Sequence, residues 1–334
     1  MIPRLNISFP IKRQWCYWFG KQYEPQEGEY LLNHARTGIV MALRAALPNG
    51  GRVGVVAYNC HTVANTVVNT GCTPFFVDIT EDLRIDISSI PTDLDAIVVT
   101  NLFGIRNDMV AIRKRLPRAI IIVDNAHGYG LPVEGDFTVY SINQGKFPAL
   151  GEGGLLYANE DWRLKIDDLY KALPGYGFIA QVKLFISMLI KAIAYSPCFY
   201  WIVMKMKKSS NPKVHQELVM KRMAPGVRRL YQAWLPNADN EITAQRANAK
   251  QICNIQSKIS NSQYMIGSNA FMAIVRTEDP AALKAEFAAK GVETETHFKH
   301  CIEWARVFGY NDGDCPNAEK LTQKLLMIPT YTKI

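Results

Sequence analysis

With 334 residues, 48% of them hydrophobic and 20% charged, the chain is long and apolar enough to bury a sizeable core, and its length reads as one large and one small domain. A net charge of +8 invites a nucleic-acid reading, but outside Lys205, Lys207, Lys208 and Lys213 the basic residues are scattered, so no nucleic-acid partner is expected, only a basic surface with some preference for anions. Seven cysteines, odd in number and never spaced C-x-x-C, argue against a disulfide framework or zinc knuckle; with no signal-peptide-like apolar run at the N-terminus, they point to a cytoplasmic protein.

Residues 1–30 are aromatic and basic without a period and read as an N-terminal arm that packs on the body or on a partner. From Asn33 to Leu47 apolar residues recur at helical spacing, with Arg36, Thr37 and Gly38 at the start. Such a helix start is either an anion cradle, where free backbone N–H groups and the helix dipole favour phosphate, or simply an N-cap by Thr37. Pro48 to Gly51 is a turn, and Val53–Ala57 a short strand with Tyr58, Cys60 and His61 beyond its carboxyl end. A helix from about Thr62 to Thr70, a strand over Pro74–Val77, a strand over Asp95–Thr100 and a helix over Met109–Leu116 follow.

The centre of the chain is residues 119–157. Ala119–Val123 is apolar and β-branched and too short for a helix, so it reads as a strand covered on both faces. Asp124 stands at its carboxyl end, where open α/β sheets bind ligands. Lys146 follows in a glycine-rich loop between two strand signals. Either residue alone reads as a surface lysine or a turn acid. Together they fit a cofactor that needs a cation partner and a covalent amine, because a rigid, partly desolvated lysine can be neutral and nucleophilic.

After Asn159 the pattern changes. Residues 161–173 look helical, Pro174 to Gly177 breaks them, and residues 178–206 are strongly apolar but interrupted by Lys183, Lys191 and Pro197, too short a run to span a membrane. The preferred reading is a helical pair buried on the body or a twin subunit; the alternative is an interfacial helix at an anionic membrane. Residues 211–260 read as helical linker; strand (271–276), helix (280–290) and β segment (292–296) then suggest a small α+β unit. The predicted organisation is an arm (1–30), a large α/β domain (31–160), a helical linker with the apolar insertion 178–206 (161–260) and a small C-terminal domain (261–334). Short connections between alternating strands and helices imply a mostly parallel central sheet with helices on both faces.

The segment Asp124-Asn125-Ala126-His127-Gly128, with Gly135-Asp136, Ser141, Lys146 and Gly151-Glu152-Gly153-Gly154, resembles the core signature of the DegT/DnrJ/EryC1/StrS-type sugar aminotransferases, fold-type I enzymes dependent on pyridoxal 5'-phosphate (PLP). Residues 71–78 (GCTPFFVD), 291–298 (GVETETHF) and 315–329 (CPNAEKLTQKLLMIP) are similar to further stretches of that family, in the same order. The resemblance implies that Lys146 carries the cofactor and shuttles protons, that Asp124 pairs with the pyridine nitrogen and that His127 lies near the ring's 3-oxygen. It further implies that Ser141 binds phosphate with the Arg36-Thr37-Gly38 helix start, that Asn143 lines the pocket and that His297 lies at its substrate end. Where the family commonly places a stacking aromatic the chain has Cys60, so Tyr58 or His61 is expected to cover the ring, with Tyr58 also at the substrate. The family's Asn-x-Arg-Met element is matched only by Met220-Lys221-Arg222-Met223, without its asparagine.

The function so implied is transfer of an amino group from glutamate to a nucleotide-activated keto-deoxysugar, in surface polysaccharide or glycoconjugate synthesis, by a homodimer. The rival is a non-catalytic or regulatory relative that docks on a membrane or partner through residues 178–206. His297, His300 and Cys301 lack a nearby carboxylate or fourth ligand, so no metal is expected.

Overall fold

In a computed structural model, which describes residues 2–3, 14–196, 198–206, 214–255, 263–296 and 298–331, the chain builds two sheets. The larger contains β1 (Glu29–Leu32), β2 (Arg52–Val56), β3 (Thr73–Val77), β4 (Ala96–Thr100), β5 (Ile120–Asn125), β6 (Phe137–Ser141) and β7 (Gly154–Ala158), in the order β1-β7-β6-β5-β4-β2-β3. Strands β3, β2, β4, β5 and β6 run parallel; β7 is antiparallel to both of its neighbours. This is the expected mainly parallel, doubly covered α/β sheet. Residues 97–99 and 121–123 in its middle are buried throughout, which explains why the sequence runs apolar there instead of alternating.

The helices are α1 (Cys16–Phe19), α2 (Ala35–Ala46), α3 (His61–Val68), α4 (Met109–Arg115), α5 (Arg163–Ala172), α6 (Phe178–Ala194), α7 (Tyr200–Met206), α8 (Pro225–Trp234), α9 (Ala238–Ile255), α10 (Pro280–Ala289), α11 (Cys301–Arg306) and α12 (Pro316–Leu321). Helix α2 packs closely on the large sheet through Gly38, where a Cβ would lie 2.8 Å from Val139 Cγ1. Gly154, opening β7, lies so close to the backbone of His34 and Ala35 that only a glycine fits. The start of α2 is thereby pinned to the sheet above β6 and β7.

Several expectations change. Part of the supposed arm is β1, an edge strand that the sequence hides because Glu29 is buried, holding the hydroxyls of Tyr23 (2.8 Å) and Tyr157 (2.7 Å). The described part of the arm packs on the body: the Tyr17 ring lies on Gly226 of α8 and its hydroxyl donates to Gln181 O at 3.0 Å. Residues 214–224 are extended rather than helical, because they run along the body, where Lys221 O accepts Asn33 N–H and Leu31 O accepts Met223 N–H. The C-terminal β content is a three-stranded antiparallel sheet of β8 (Gln263–Ile266), β9 (Met272–Arg276) and β10 (Leu325–Pro329), in the order β10-β9-β8. Val292 to Thr296 contributes only isolated bridges to it and to Ile2.

Candidate active site

At the carboxyl ends of β4, β5 and β6, beside the start of α2, lies a cavity of ≈ 200 Å³. Its walls include Asp124, His127, Ser141, Asn143 and Lys146, together with Arg36 and Cys60. Seven of the residues named from sequence therefore converge, from segments more than a hundred positions apart, as expected where strand ends of an open α/β sheet meet helix starts.

Asp124 follows the apolar run of β5 and is 4% exposed. Burial raises its pKa, while the Ala126 N–H, donated to Oδ1 at 2.9 Å, the Lys146 charge and Thr100 oppose the rise. Lys146 shows the complementary effect: burial of the amine lowers its pKa, with Cys60 and Asp124 pulling the other way. The residue as a whole keeps some exposure because its stem lines the cavity. Its Nζ lies 2.6 Å from His127 Nε2, and His127 Nδ1 accepts the Phe103 N–H at 3.2 Å. The histidine ring joins a cluster with Phe103 (centroids 5.3 Å apart, interplanar 19°) and Phe298 (6.0 Å, 14°), whose own rings lie 6.3 Å apart. Asn269 Nδ2 donates to His127 O at 3.1 Å, so a segment leading into the small sheet fixes this turn from outside.

The other end of the cavity is built for an anion. His34, the N-cap of α2, accepts Asn143 Nδ2 on Nδ1 at 3.1 Å, and its pKa is pushed down to about 4 by burial and then by Arg36, so the ring is neutral. With Nδ1 accepting, Nε2 carries the proton and is a donor. Arg36 Nε is buried without a hydrogen-bond partner in the structure. A half-buried guanidinium whose Nε has no partner, next to a helix start and an asparagine amide, suits an anion.

Three placements differ from expectation. Thr37 and Gly38 do not line the cavity: the Thr37 hydroxyl donates to Asn33 Oδ1 at 2.8 Å and Gly38 is spent on close packing, so the helix start acts through Arg36. Tyr58 is 0% exposed and edge-on to Phe298 at 5.8 Å, a core residue rather than a substrate contact. His61 turns away to meet Trp304 edge-on at 5.0 Å. Cys60 does line the cavity; burial raises its thiol pKa, but hydrogen bonds involving His61 and Thr62 bring it down to about 7, with Thr62 Oγ1 donating to Sγ at 3.1 Å. His297 lies outside the described residues. The aromatic that reaches the cavity is its neighbour Phe298, whose positive φ of 55° turns the ring inward. Sequence reasoning missed it, although it stands in the quoted GVETETHF stretch. His34, Asn59 and Thr100 also went unnamed. Asn59 Nδ2 donates to Thr100 Oγ1 at 2.9 Å, tying the end of β4 to the loop before α3.

The groups present fit PLP: an acid for a ring nitrogen, a desolvated amine, and a guanidinium with neutral donors for a phosphate, in a volume suited to one ring and its phosphate. Ligand pockets for drug-sized molecules are larger, about 300–1,000 Å³.

The model of the DegT/DnrJ/EryC1/StrS aminotransferase family matches residues 31–177. Among solved structures the chain is similar to the sugar aminotransferase CalS13 from Micromonospora echinospora, at 15% identity and a TM-score of 0.71, covering 99% of this chain and 95% of that one. It is similar to Spr1654 from Streptococcus pneumoniae in its PMP form, at 16% identity and a TM-score of 0.75, covering 99% and 94%. It is also similar to DesI, solved in the presence of its TDP-sugar product, at 18% identity and a TM-score of 0.68, covering 90% and 75%. At such identities these likenesses establish the fold, that of the type I PLP-dependent aminotransferases. No curated protein sequence matches the chain.

Proposed function

We propose, from the match of residues 31–177 to the model of the DegT/DnrJ/EryC1/StrS aminotransferase family, that the chain is a PLP-dependent sugar aminotransferase. Glutamate is its amino donor and a nucleotide-linked keto-deoxysugar its acceptor, in surface polysaccharide or glycoconjugate synthesis, by a cytoplasmic homodimer. The observation that carries this reading is the meeting of a desolvated lysine and a buried aspartate in one cavity whose far end is an anion cradle. The nucleotide sugar rests on the family resemblance and on the product held by DesI. The seven free cysteines fit a reducing compartment.

Bound PLP supplies an electron-withdrawing ring that acidifies the carbon bearing the amino group. The chain's own residues do the remainder. Lys146 would hold the cofactor through its amine, whose neutral form burial favours, and the same amine would take the substrate's proton and return it. Asp124 would hold the ring-nitrogen proton; facing a cation it would regain the charge that burial alone disfavours. Arg36 and Asn143, with the neutral His34 as a donor, bind phosphate oxygens and fix the ring's position. Phe298, in contact with His127, covers the cavity where Cys60 replaces an aromatic and excludes water from it.

The test is a half-reaction. Full-length protein loaded with PLP is given glutamate, which should bleach the visible band of lysine-bound cofactor; nucleotide-linked ketosugars are then screened for its return. Bound cofactor whose band ignores glutamate contradicts the reading.

A further inference from the structure

The body of the chain covers only one side of the two helices of the apolar insertion. In α6 the buried residues are Met188 and Ala192; Met188 occupies the space where a side chain at Gly151, in the loop following Lys146, would stand. Phe185 packs on Tyr17, with ring centroids 5.1 Å apart. The opposite side of the helix is apolar and open. Ile179, Lys183, Ile186, Ile190 and Ile193 recur at spacings of four and three, one continuous stripe along a helix, and Ile190 is 61% exposed. Helix α7 and the turn before it add exposed Phe199, Trp201 and Ile202, with Lys205 Nζ over the Trp201 ring at 5.0 Å. No helix among the described residues is long and apolar enough to cross a membrane.

Charge decides what covers this face. From Leu169 to Gln216 the sequence contains no aspartate or glutamate, and its charged residues are all lysines. In an isologous contact with a second copy the same patch faces itself, so these lysines would meet lysines with no carboxylate of their own segment to pair with. Glu293, from outside the segment, accepts the hydroxyl of the buried Tyr200 at 2.5 Å and so faces inward. An exposed stripe of isoleucines interrupted by Lys183, whose long stem can carry its charge to the headgroups, with tryptophan, phenylalanine and Lys205 beside it, is instead the chemistry of a helix lying in the headgroup region of an anionic bilayer.

We propose that α6 and α7 dock the protein on the surface of an anionic membrane, lying in its interface without crossing it. The inference is independent of the catalytic reading. Flotation of the full-length protein with vesicles of phosphatidylcholine alone, or with phosphatidylglycerol added, tests it. Wild type should float with the anionic vesicles and release as salt is raised. The double variant Ile186→Glu, Ile190→Glu, on exposed positions, should stay with the soluble fraction while keeping its circular dichroism. Should that variant misfold, Lys183→Gln, Lys191→Gln, Lys205→Gln serves, with an expected loss of anionic-vesicle affinity on the order of a hundredfold. Wild type that does not float, or folded variants that float like it, overturns the proposal. So does a variant that floats unchanged while light scattering shows a dimer dissociating, which assigns the face to a second copy.

Discussion

Lys146 Nζ stands 2.6 Å from His127 Nε2, while the other nitrogen of that ring accepts the Phe103 N–H at 3.2 Å. With Nδ1 engaged as an acceptor, the neutral ring carries its proton on Nε2 and donates it to the lysine, which can accept only as a free amine. Protonating the lysine would turn it into a donor and require the opposite tautomer, breaking the bond from Phe103. His127 thus favours the neutral amine alongside burial, against the pull of the Asp124 and Cys60 charges. In His127→Phe the midpoint of the pH dependence of cofactor attachment should move up by about one unit, since a hydrogen bond contributes about 1 kcal/mol and one pKa unit is 1.36 kcal/mol. A spectrophotometric pH titration with added PLP measures this; an unmoved or lower midpoint contradicts it.

Asp124 predicts effects of opposite sign on stability and function. Its folded pKa is raised, so the stability it contributes is present below the unfolded pKa of about 3.9 and lost as pH rises through the folded value. Cofactor-free Asp124→Asn should therefore be more stable than wild type near pH 7 in urea unfolding, with the advantage vanishing in acid. The same variant should bind PLP more weakly, by about 30-fold or more, because removing one partner of a buried charge pair costs about 2–5 kcal/mol. Equal stabilities together with equal affinities would contradict the assigned role.

His34 carries the reverse linkage. Its folded pKa of about 4 lies below the ordinary 6.5, so its stabilising contribution is complete above pH 6.5 and lost as pH falls toward 4. His34→Gln, which retains a partner for Asn143, should lose less stability across that window than wild type does, by up to about 3 kcal/mol. Urea midpoints at several pH values provide the check.

Gly154 is the tightest contact between α2 and the sheet, against the backbone of His34 and Ala35. A Cβ there must displace backbone, so Gly154→Ala should destabilise by about 1–3 kcal/mol or more and widen the anion end of the cavity. Phosphate protection against thermal unfolding should fall with it, whereas an Ala at Gly71, where nothing lies within 4 Å, should leave phosphate protection intact.

Much of this was legible in the sequence for a physical reason. Strands buried on both faces read as apolar runs, and Asp124 stands out because an acid closes one of them. Lys146 is marked by the glycines its loop needs: Gly145 and Gly151 adopt φ of 74° and 96°. Strand β1 was not legible, since a buried glutamate held by two tyrosines looks like surface. Nor was the fate of Thr37, Tyr58 and His61, because a side chain's direction depends on partners distant in sequence: Asn33, Phe298 and Trp304 each claim one of them. The exposure of α6 could not be read either; periodicity marks an apolar helix but not which side of it the body covers.

The central claim is that Lys146 is the amine that binds the cofactor. It is tested most directly by adding PLP to the full-length protein, fixing the lysine-cofactor bond with borohydride and mapping the labelled peptide by mass spectrometry. The account predicts a single dominant adduct on the peptide containing Lys146, absent from Lys146→Ala. An adduct concentrated on another lysine, or none at saturating cofactor, would contradict it.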